Sequence, residues 1–184
     1  MTKLDLLAFE LSVSGRTLRR AAGRGAIRAA REGERLVQVS DAEADYLRAH
    51  WPLLSTLIAE LRTLPDVRLA VVFGSAARGE LSDRSDLDLL IRFARGGLES
   101  RSTLIARLDE ASRRTIQLVA FDEALAAPLL LADVLRDGRV LVDRDGDWLR
   151  LKRREGMIER EAEAAEARLS QEIQTELREL GAVE

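Results

Sequence analysis

Two aspartates separated by a single residue, within an apolar segment, are the first side chains that could do chemistry. Asp86 and Asp88 alternate with Leu87 and Leu89. Because side chains alternate between the faces of a β-strand, the pattern predicts that both carboxylates share one face while both leucines face a core. Two neighbouring carboxylates suit Mg²⁺ or Mn²⁺, hard cations that are commonly held by carboxylates together with substrate phosphates. The pair therefore indicates a metal-dependent nucleotide site.

A glycine turn precedes this pair along the chain. Residues 71–73 are apolar and predict the end of a strand, and Gly74 and Ser75 follow at once. Glycine lets the backbone approach a ligand closely, and free N–H groups at the start of a helix attract anions. We therefore expect Gly74 and Ser75 to bind the phosphates of a nucleoside triphosphate.

The whole segment resembles the nucleotidyltransferase superfamily of DNA polymerase β. That family's pattern is a hydrophobic residue, Gly-Ser, a gap, and Asp-hydrophobic-Asp-hydrophobic; here ten residues separate Gly-Ser from the first aspartate. Arg78 and Ser85 make the segment similar to the minimal nucleotidyltransferase (MNT) branch. The resemblance implies catalytic and metal-binding roles for Asp86 and Asp88, and nucleotide-binding roles for Gly74, Ser75, Arg78 and Ser85. A solvated hairpin with two surface aspartates is the alternative, but it needs neither the glycines nor the apolar flanks.

The family normally adds a third carboxylate from a later strand, and the candidate strand here is residues 115–121. Gln117 stands where that aspartate is expected. A neutral amide is a weaker Mg²⁺ ligand, so the resemblance implies nucleotide binding with slow or absent transfer. Asp122 or Glu123 could substitute only if the strand ends or bulges, because strand alternation puts Asp122 on the opposite face. A different alignment of this strand is the other alternative.

Composition is that of a globular protein of 184 residues with 46% hydrophobic residues, few aromatics and no cysteine. The lack of cysteine removes disulfides and thiolate metal sites and is typical of a reducing cytoplasm. There is no signal-peptide pattern and no apolar segment long enough to span a bilayer. We therefore expect a soluble cytoplasmic protein with no membrane partner.

Charge is distributed unevenly along the chain. Residues 11–31 contain six arginines and no acidic residue, whereas residues 155–184 contain nine glutamates and three arginines. The basic block is a candidate surface for the phosphate backbone of duplex DNA. The residues that we expect to contact DNA are Arg16, Thr17, Arg19, Arg20, Arg24 and Arg28.

The basic block has the organisation of a small winged helix. Residues 4–10 and 14–22 predict two short helices, with Ser14 as the N-cap of the second and Gly23, Arg24 and Gly25 ending it. Residues 26–31 and 35–39 predict a hairpin around residues 32–34, and Ser40 begins another helix. The unit, about residues 3–49, resembles excisionase and MerR-type winged helix-turn-helix domains, which implies DNA binding. An arginine-rich helical cap with no DNA role is the alternative.

The predicted fold class is α+β, with a winged helix-turn-helix over residues 1–50, a nucleotidyltransferase domain over 51–146 and a long amphipathic helix over 147–184. His50, Trp51 and Pro52 mark the first boundary, and a helix follows as far as Pro65. After the acidic pair we expect a turn at residues 95–97, a helix to about residue 113, the strand with Gln117, a helix over 128–135 and a strand over 139–142. These elements predict a mixed sheet with helices on one side.

The C-terminal helix has a narrow apolar stripe, which is typical of packing on one side or of pairing with a second copy in a homodimer. The MNT resemblance implies a further partner, since MNT proteins are often antitoxins of HEPN-type toxins and some adenylylate the toxin. Two hypotheses stand. One is a transferase that moves a nucleoside monophosphate to a hydroxyl of a protein or small molecule. The other is a DNA-binding regulator whose transferase-like domain binds nucleotide or a HEPN-type partner with little or no turnover.

Overall fold

A helix-rich N-terminal unit precedes the central sheet. The structure is a computed structural model that describes residues 2–32, 35–82, 85–94 and 98–179. Its first part contains β1 (Thr2–Lys3), α1 (Leu4–Glu10), α2 (Gly15–Arg24), β2 (Ala29–Glu32), β3 (Arg35–Val39) and α3 (Asp41–Arg62). The three strands form an antiparallel sheet in the order β1-β3-β2. The paired strands β2 and β3 were predicted, whereas β1 has only two residues and was not.

The second helix begins where the sequence predicts and ends two residues later. The Ser14 hydroxyl accepts a hydrogen bond of 3.1 Å from the backbone N–H of Thr17, as an N-cap does. Of the three predicted end residues, Gly23 and Arg24 are helical, and Gly25, with φ +95°, ends the helix in a left-handed conformation. The strand β2 starts at Ala29, three residues later than predicted. Gly33 and Glu34, in the predicted wing turn, lie outside the described residues.

The predicted break at His50, Trp51 and Pro52 is wrong, because α3 runs through all three residues. Ser40 caps the helix by accepting a hydrogen bond from the backbone N–H of Glu43. A proline inside a helix costs about 3 kcal/mol. That cost is outweighed here because the helix keeps one buried face on both sides of Pro52, formed by Ala44, Tyr46, Leu47, Trp51, Leu54, Leu57, Ile58 and Leu61.

The expected domain boundary therefore lies inside one continuous helix. Leu4 of α1 and Leu18 of α2 belong to the same hydrophobic cluster as Leu87 and Leu89 of the central sheet. The N-terminal unit and the central sheet thus share a core, and α3 contributes to both.

A mixed four-stranded sheet forms the centre, as predicted. Its elements are β4 (Val67–Phe73), α4 (Gly74–Arg78), β5 (Leu87–Phe93), α5 (Leu98–Ser112), β6 (Ile116–Ala120), α6 (Phe121–Leu125), α7 (Pro128–Asp137) and β7 (Arg139–Asp143). The order is β6-β5-β4-β7, with β5 and β6 parallel and the other pairs antiparallel. The turn expected at residues 95–97 lies outside the described residues.

Helices cover both faces of this sheet, which corrects the expectation of one covered side. Leu87, Leu89 and Ile91 pack in one cluster with residues of α3 and α5. Val71 and Leu90 point to the other face and pack in a second cluster with residues of α7 and the C-terminal helices. Burial on both faces explains why β4 is an almost continuous apolar run instead of an alternating one.

The C-terminal region is two helices and not one. α8 (Asp147–Arg153) and α9 (Glu155–Glu179) are separated at Arg154. The Asp143 carboxylate fixes the start of α8 by accepting hydrogen bonds from the backbone N–H groups of residues 146–148. Ile158 and Ala162 are buried, whereas the side chains described from Glu163 onward are exposed or half-buried. The last part of the predicted helix, residues 180–184, lies outside the described residues. Across the part of the chain that the structure describes, no helix is long and apolar enough to cross a membrane.

Candidate nucleotide and metal site

The strand register brings the glycine turn and the second aspartate together. Asp88 on β5 lies opposite Phe73 on β4, and Gly74 follows Phe73 directly. Gly74 has φ +67°, a conformation that disfavours other residues. A Cβ atom placed on Gly74 would lie 2.5 Å from Oδ2 of Asp88. Glycine is therefore required here for two reasons, its backbone conformation and the close approach of the carboxylate.

The first aspartate is held from the neighbouring strand. Asp86 lies just before β5, and Gln117 on β6 is the register partner of Asp88. The side-chain amide of Gln117 donates a hydrogen bond of 2.8 Å from Nε2 to Oδ2 of Asp86. The structure thus brings Asp86, Asp88 and Gln117 together at one end of the parallel strand pair, as the sequence predicted.

The surroundings of Asp88 disfavour its charged form. Burial raises the pKa of Asp88, the negative charge of Asp86 raises it further, and the Arg78 guanidinium lowers it. A carboxylate that is half-buried beside a second carboxylate, and that no basic residue fully neutralises, favours a bound cation. Among the described residues, no group of three or more His, Cys, Asp or Glu side chains is arranged to hold a metal ion. The acidic set that the structure describes is therefore the pair alone.

The two other predicted nucleotide ligands make contacts within the protein. Arg78, at the end of α4, donates to Glu80 at 2.8 Å and to Asp137 at 3.0 Å. The Ser85 hydroxyl lies 2.8 Å from that of Ser82 and accepts from the Ser82 backbone N–H at 3.0 Å. Arg78 lies near enough to Asp88 to affect its pKa, whereas the Ser85 side chain bonds only to Ser82 among the residues that the structure describes.

A buried ion pair that the sequence analysis missed contacts the backbone of α4, the short helix that begins at the glycine turn. Arg139 and Glu43 are only 2% and 4% exposed, and both guanidinium Nη atoms donate to the Glu43 carboxylate, at 2.6 and 2.9 Å. Arg139 Nε donates to the carbonyl oxygen of Ala77 at 2.8 Å. The only sequence signal was an arginine at the first position of an apolar strand, which by itself predicts no partner.

Tyr46 adds a second contact between α3 and the same turn. Its hydroxyl donates to the carbonyl oxygen of Ala76 at 3.0 Å, and Arg139 lies 3.5 Å from the centre of its ring. Burial raises the pKa of Tyr46 to about 12, so the phenol stays a donor at neutral pH. Gly79 allows this packing, because a Cβ there would lie 3.1 Å from the tyrosine ring. Tyr46 of α3 and Arg139 of β7, the latter paired with Glu43 of α3, therefore each bond to the backbone of α4.

The two acidic residues that could replace the missing carboxylate begin α6. The strand ends at Ala120, so the alternation argument against Asp122 no longer applies. Glu123 is engaged as a cap: its carboxylate accepts from the Ala120 backbone N–H at 3.0 Å and pairs with Arg101 at 3.1 Å. These contacts lower the pKa of Glu123, the backbone hydrogen bond contributing most. Asp122 is exposed in the first turn of the helix.

The residues expected to contact DNA fall into two groups. Arg16, Thr17, Arg19 and Arg20 are exposed on α2, where Arg19 pairs with Asp5 at 2.5 Å. Arg28 instead donates to the carbonyl oxygen of Asp137 at 2.9 Å, which ties the N-terminal unit to the end of α7. Arg24 is half-buried at the end of α2.

The central sheet and its acidic pair correspond to a known family. The model of the polymerase β nucleotidyltransferase family matches residues 55–147, just over half of the chain. The chain belongs to this family. The matched nucleotidyltransferase region begins inside α3 and contains the glycine turn, the acidic pair and Gln117. It ends at the start of α8, so the N-terminal unit and α9 lie outside it.

Similar solved structures also exist, all at low identity. A toxin–antitoxin structure with AMP-PNP is 22% identical with a TM-score of 0.47 and covers 69% of this chain and 97% of that chain. The MntA–HepT toxin–antitoxin is 20% identical with a TM-score of 0.43, and the match covers 70% of this chain and 96% of that chain. A tri-AMPylated HEPN toxin from Shewanella oneidensis in complex with MNT antitoxin is 20% identical with a TM-score of 0.43. The match covers 70% of this chain and 95% of that chain. No curated protein matches the sequence.

Proposed function

We propose that this nucleotidyltransferase-family protein binds a nucleoside triphosphate with Mg²⁺ at the turn formed by Gly74 and Ser75 and at Asp86 and Asp88. The observation that carries the proposal is the packing of the Asp88 carboxylate against Gly74. A phosphate that contacts the backbone of the turn would lie beside the carboxylate, where a shared cation can bind both. The turn itself supplies the phosphate contacts, because α4 has only five residues and a correspondingly small dipole.

The residues present fit a divalent cation. Asp86 and Asp88 are hard oxygen donors on one side of the strand, and their repulsion is relieved when a cation binds between them. When bound, the metal ion would neutralise the triphosphate and polarise its phosphoryl oxygens. Asp88 must be deprotonated to act as a ligand, so its raised pKa makes cation binding weaken as the pH falls.

Transfer of the nucleotide is expected to be slow in this chain. The third carboxylate of the family serves mainly the cation that activates the attacking hydroxyl. Gln117 supplies no negative charge, and its amide occupies one oxygen of Asp86. We therefore propose binding with weak or absent turnover. Asp122, exposed at the start of α6, is the acidic residue that we expect to assist any turnover that remains.

A regulatory role is the second candidate function, and the arginine face of α2 favours it. Arg16, Arg19 and Arg20 are exposed on the helix that corresponds to the recognition helix of the predicted winged helix-turn-helix. We propose that this face binds duplex DNA. We also propose a HEPN-type protein as partner, on the MNT-like motif, which makes the chain antitoxin-like.

Calorimetric titration of ATP and the other triphosphates in the presence of Mg²⁺ tests the nucleotide proposal. Wild type is expected to bind at least one triphosphate, and Asp86→Ala and Asp88→Ala are each expected to weaken binding about tenfold or more. Asp133→Ala, an exposed aspartate of α7, is the matched control and should bind as wild type does. Equal binding by all variants would remove the metal assignment, and no binding of any triphosphate would remove the nucleotide assignment.

A further inference from the structure

A small groove between α2 and α3 is lined by arginines that no carboxylate neutralises within the described residues. The groove has a volume of about 100 Å³, and its lining residues include Thr17, Arg24, Trp51, Ser55 and Arg62. Arg20 lies on the same face of α2 as Arg24, because the two are four residues apart on a helix. The cluster therefore contains three arginines, two from α2 and one from the end of α3.

The charges of this cluster repel one another. Burial lowers the pKa of Arg24, and the positive charges of Arg62 and Arg20 lower it further. The Nε atom of Arg24 is buried and has no hydrogen-bond partner within the described ranges. Within those same ranges, neither Arg20 nor Arg62 has a carboxylate partner, whereas Arg19 on the same helix pairs with Asp5. Three clustered like charges are unfavourable unless an anion binds beside them.

The chemistry of the lining selects the anion. Guanidinium groups match the oxygens of a phosphate as well as those of a carboxylate, but the groove is too small for a folded acidic segment and suits a single tetrahedral group. The Ser55 hydroxyl already donates to the carbonyl oxygen of Pro52 at 2.9 Å, so the arginines supply the donors. Arg16 and Arg20 continue the basic row along the exposed face of α2, as a polyanion would require.

We propose that Arg20, Arg24 and Arg62 form a phosphate-binding site that takes a backbone phosphate of duplex DNA beside the α2 helix. The inference rests on the proposed DNA-binding role of that helix and adds to it a residue of α3 outside the helix-turn-helix motif. Phosphate contacts of this kind fix the position of a recognition helix without reading sequence. Arg62 thus extends the DNA-binding surface onto the helix that also holds the glycine turn of the nucleotide site.

Arg62→Gln is the informative variant, because the Arg62 side chain is exposed and its backbone carbonyl contact with Arg144 is retained. Anisotropy of a labelled mixed-sequence duplex is measured over a salt series for wild type, Arg62→Gln and the control Arg168→Gln, which removes an exposed arginine of α9. The slope of log affinity against log salt is expected to fall by about one unit in Arg62→Gln and to stay unchanged in the control. The melting temperature of Arg62→Gln should not fall below that of wild type, since the variant removes one of the repelling charges.

Each other outcome has a separate meaning. Duplex binding by wild type with an unchanged slope in Arg62→Gln overturns the phosphate site and leaves the DNA-binding role standing. Absence of duplex binding by wild type at the lowest salt overturns both. A second arm adds inorganic phosphate at constant ionic strength. If phosphate raises the melting temperature of wild type but not of Arg62→Gln, while the two slopes are equal, the site takes free phosphate and the assignment to DNA is wrong.

Discussion

The side-chain amide of Gln117 donates a hydrogen bond of 2.8 Å to the carboxylate of Asp86, across the parallel strand pair. The glutamine therefore stands beside the acidic pair of a nucleotidyltransferase, where the family normally has a carboxylate. It orients Asp86 but adds no charge to the site. Under the function proposed above, the pair would bind a metal–triphosphate complex, and Gln117 would not supply the charge that helps to activate an acceptor hydroxyl.

We predict that Asp88→Asn raises the melting temperature of the metal-free protein at neutral pH. The pKa of Asp88 is raised in the folded state, chiefly by burial, so folding is penalised once the pH exceeds the ordinary aspartate pKa. Removing the charge removes this cost in folding free energy. The difference in melting temperature between Asp88→Asn and wild type should vanish in acid, where Asp88 is protonated. Added Mg²⁺ should stabilise wild type more than Asp88→Asn, by mass action.

Differential scanning calorimetry over a pH series, with and without Mg²⁺, measures both effects. Asp133→Asn is the control, since that exposed aspartate forms only a surface ion pair with Arg136. A lower melting temperature for Asp88→Asn than for wild type at neutral pH would contradict the account. So would equal stabilisation of the two proteins by Mg²⁺.

We predict that Glu43→Gln lowers the free energy of unfolding by about 3–5 kcal/mol, because it leaves the buried Arg139 guanidinium uncompensated. Glu60→Gln is the matched control on the same helix. Its partner Arg107 is partly exposed, so the expected loss is about 1 kcal/mol or less. Urea denaturation followed by circular dichroism measures both. If Glu43→Gln lowers the free energy of unfolding no more than Glu60→Gln does, the buried pair does not stabilise the fold.

The sequence was most informative where a local rule acts on a few residues. Gly74 is dictated by its own backbone conformation, and Asp86, Asp88 and Gln117 could be aligned because strand alternation has a fixed period of two. The structure places all four as predicted. Ser14 likewise caps α2 through its own hydroxyl.

The errors came from interactions between distant segments. Pro52 predicts a break, yet the buried face on both sides of it holds α3 together. No local pattern distinguishes a sheet covered on one face from one covered on both. The hydrogen bonds of Arg139 with Glu43 join residues 96 positions apart, and the short β1 exists only because it pairs with β3.

The arginine face of α2 supplies another prediction. Replacing Arg16, Arg19 and Arg20 by alanine should weaken duplex binding and reduce the salt slope by about one unit for each phosphate that the variant no longer binds. Truncation after Ala162 should leave DNA binding intact unless α9 forms a dimer, since the described side chains from Glu163 onward are exposed or half-buried. Truncation at Asp147, by contrast, would remove Leu151 and Ile158 from the core. Wild-type binding no tighter than that of the triple variant at every salt concentration would make the N-terminal unit a structural cap.

Gln117 is proposed to leave triphosphate binding intact and to limit transfer. The direct measurement compares wild type with Gln117→Asp for two quantities in the same preparation, triphosphate affinity with Mg²⁺ and the rate of nucleotidyl transfer or triphosphate hydrolysis. Gln117→Asn is the control that removes the hydrogen bond to Asp86 without adding charge. We expect slow turnover in wild type and in Gln117→Asn, with a rise of about tenfold or more in Gln117→Asp. Efficient transfer by wild type, unchanged in Gln117→Asp, would contradict this proposal.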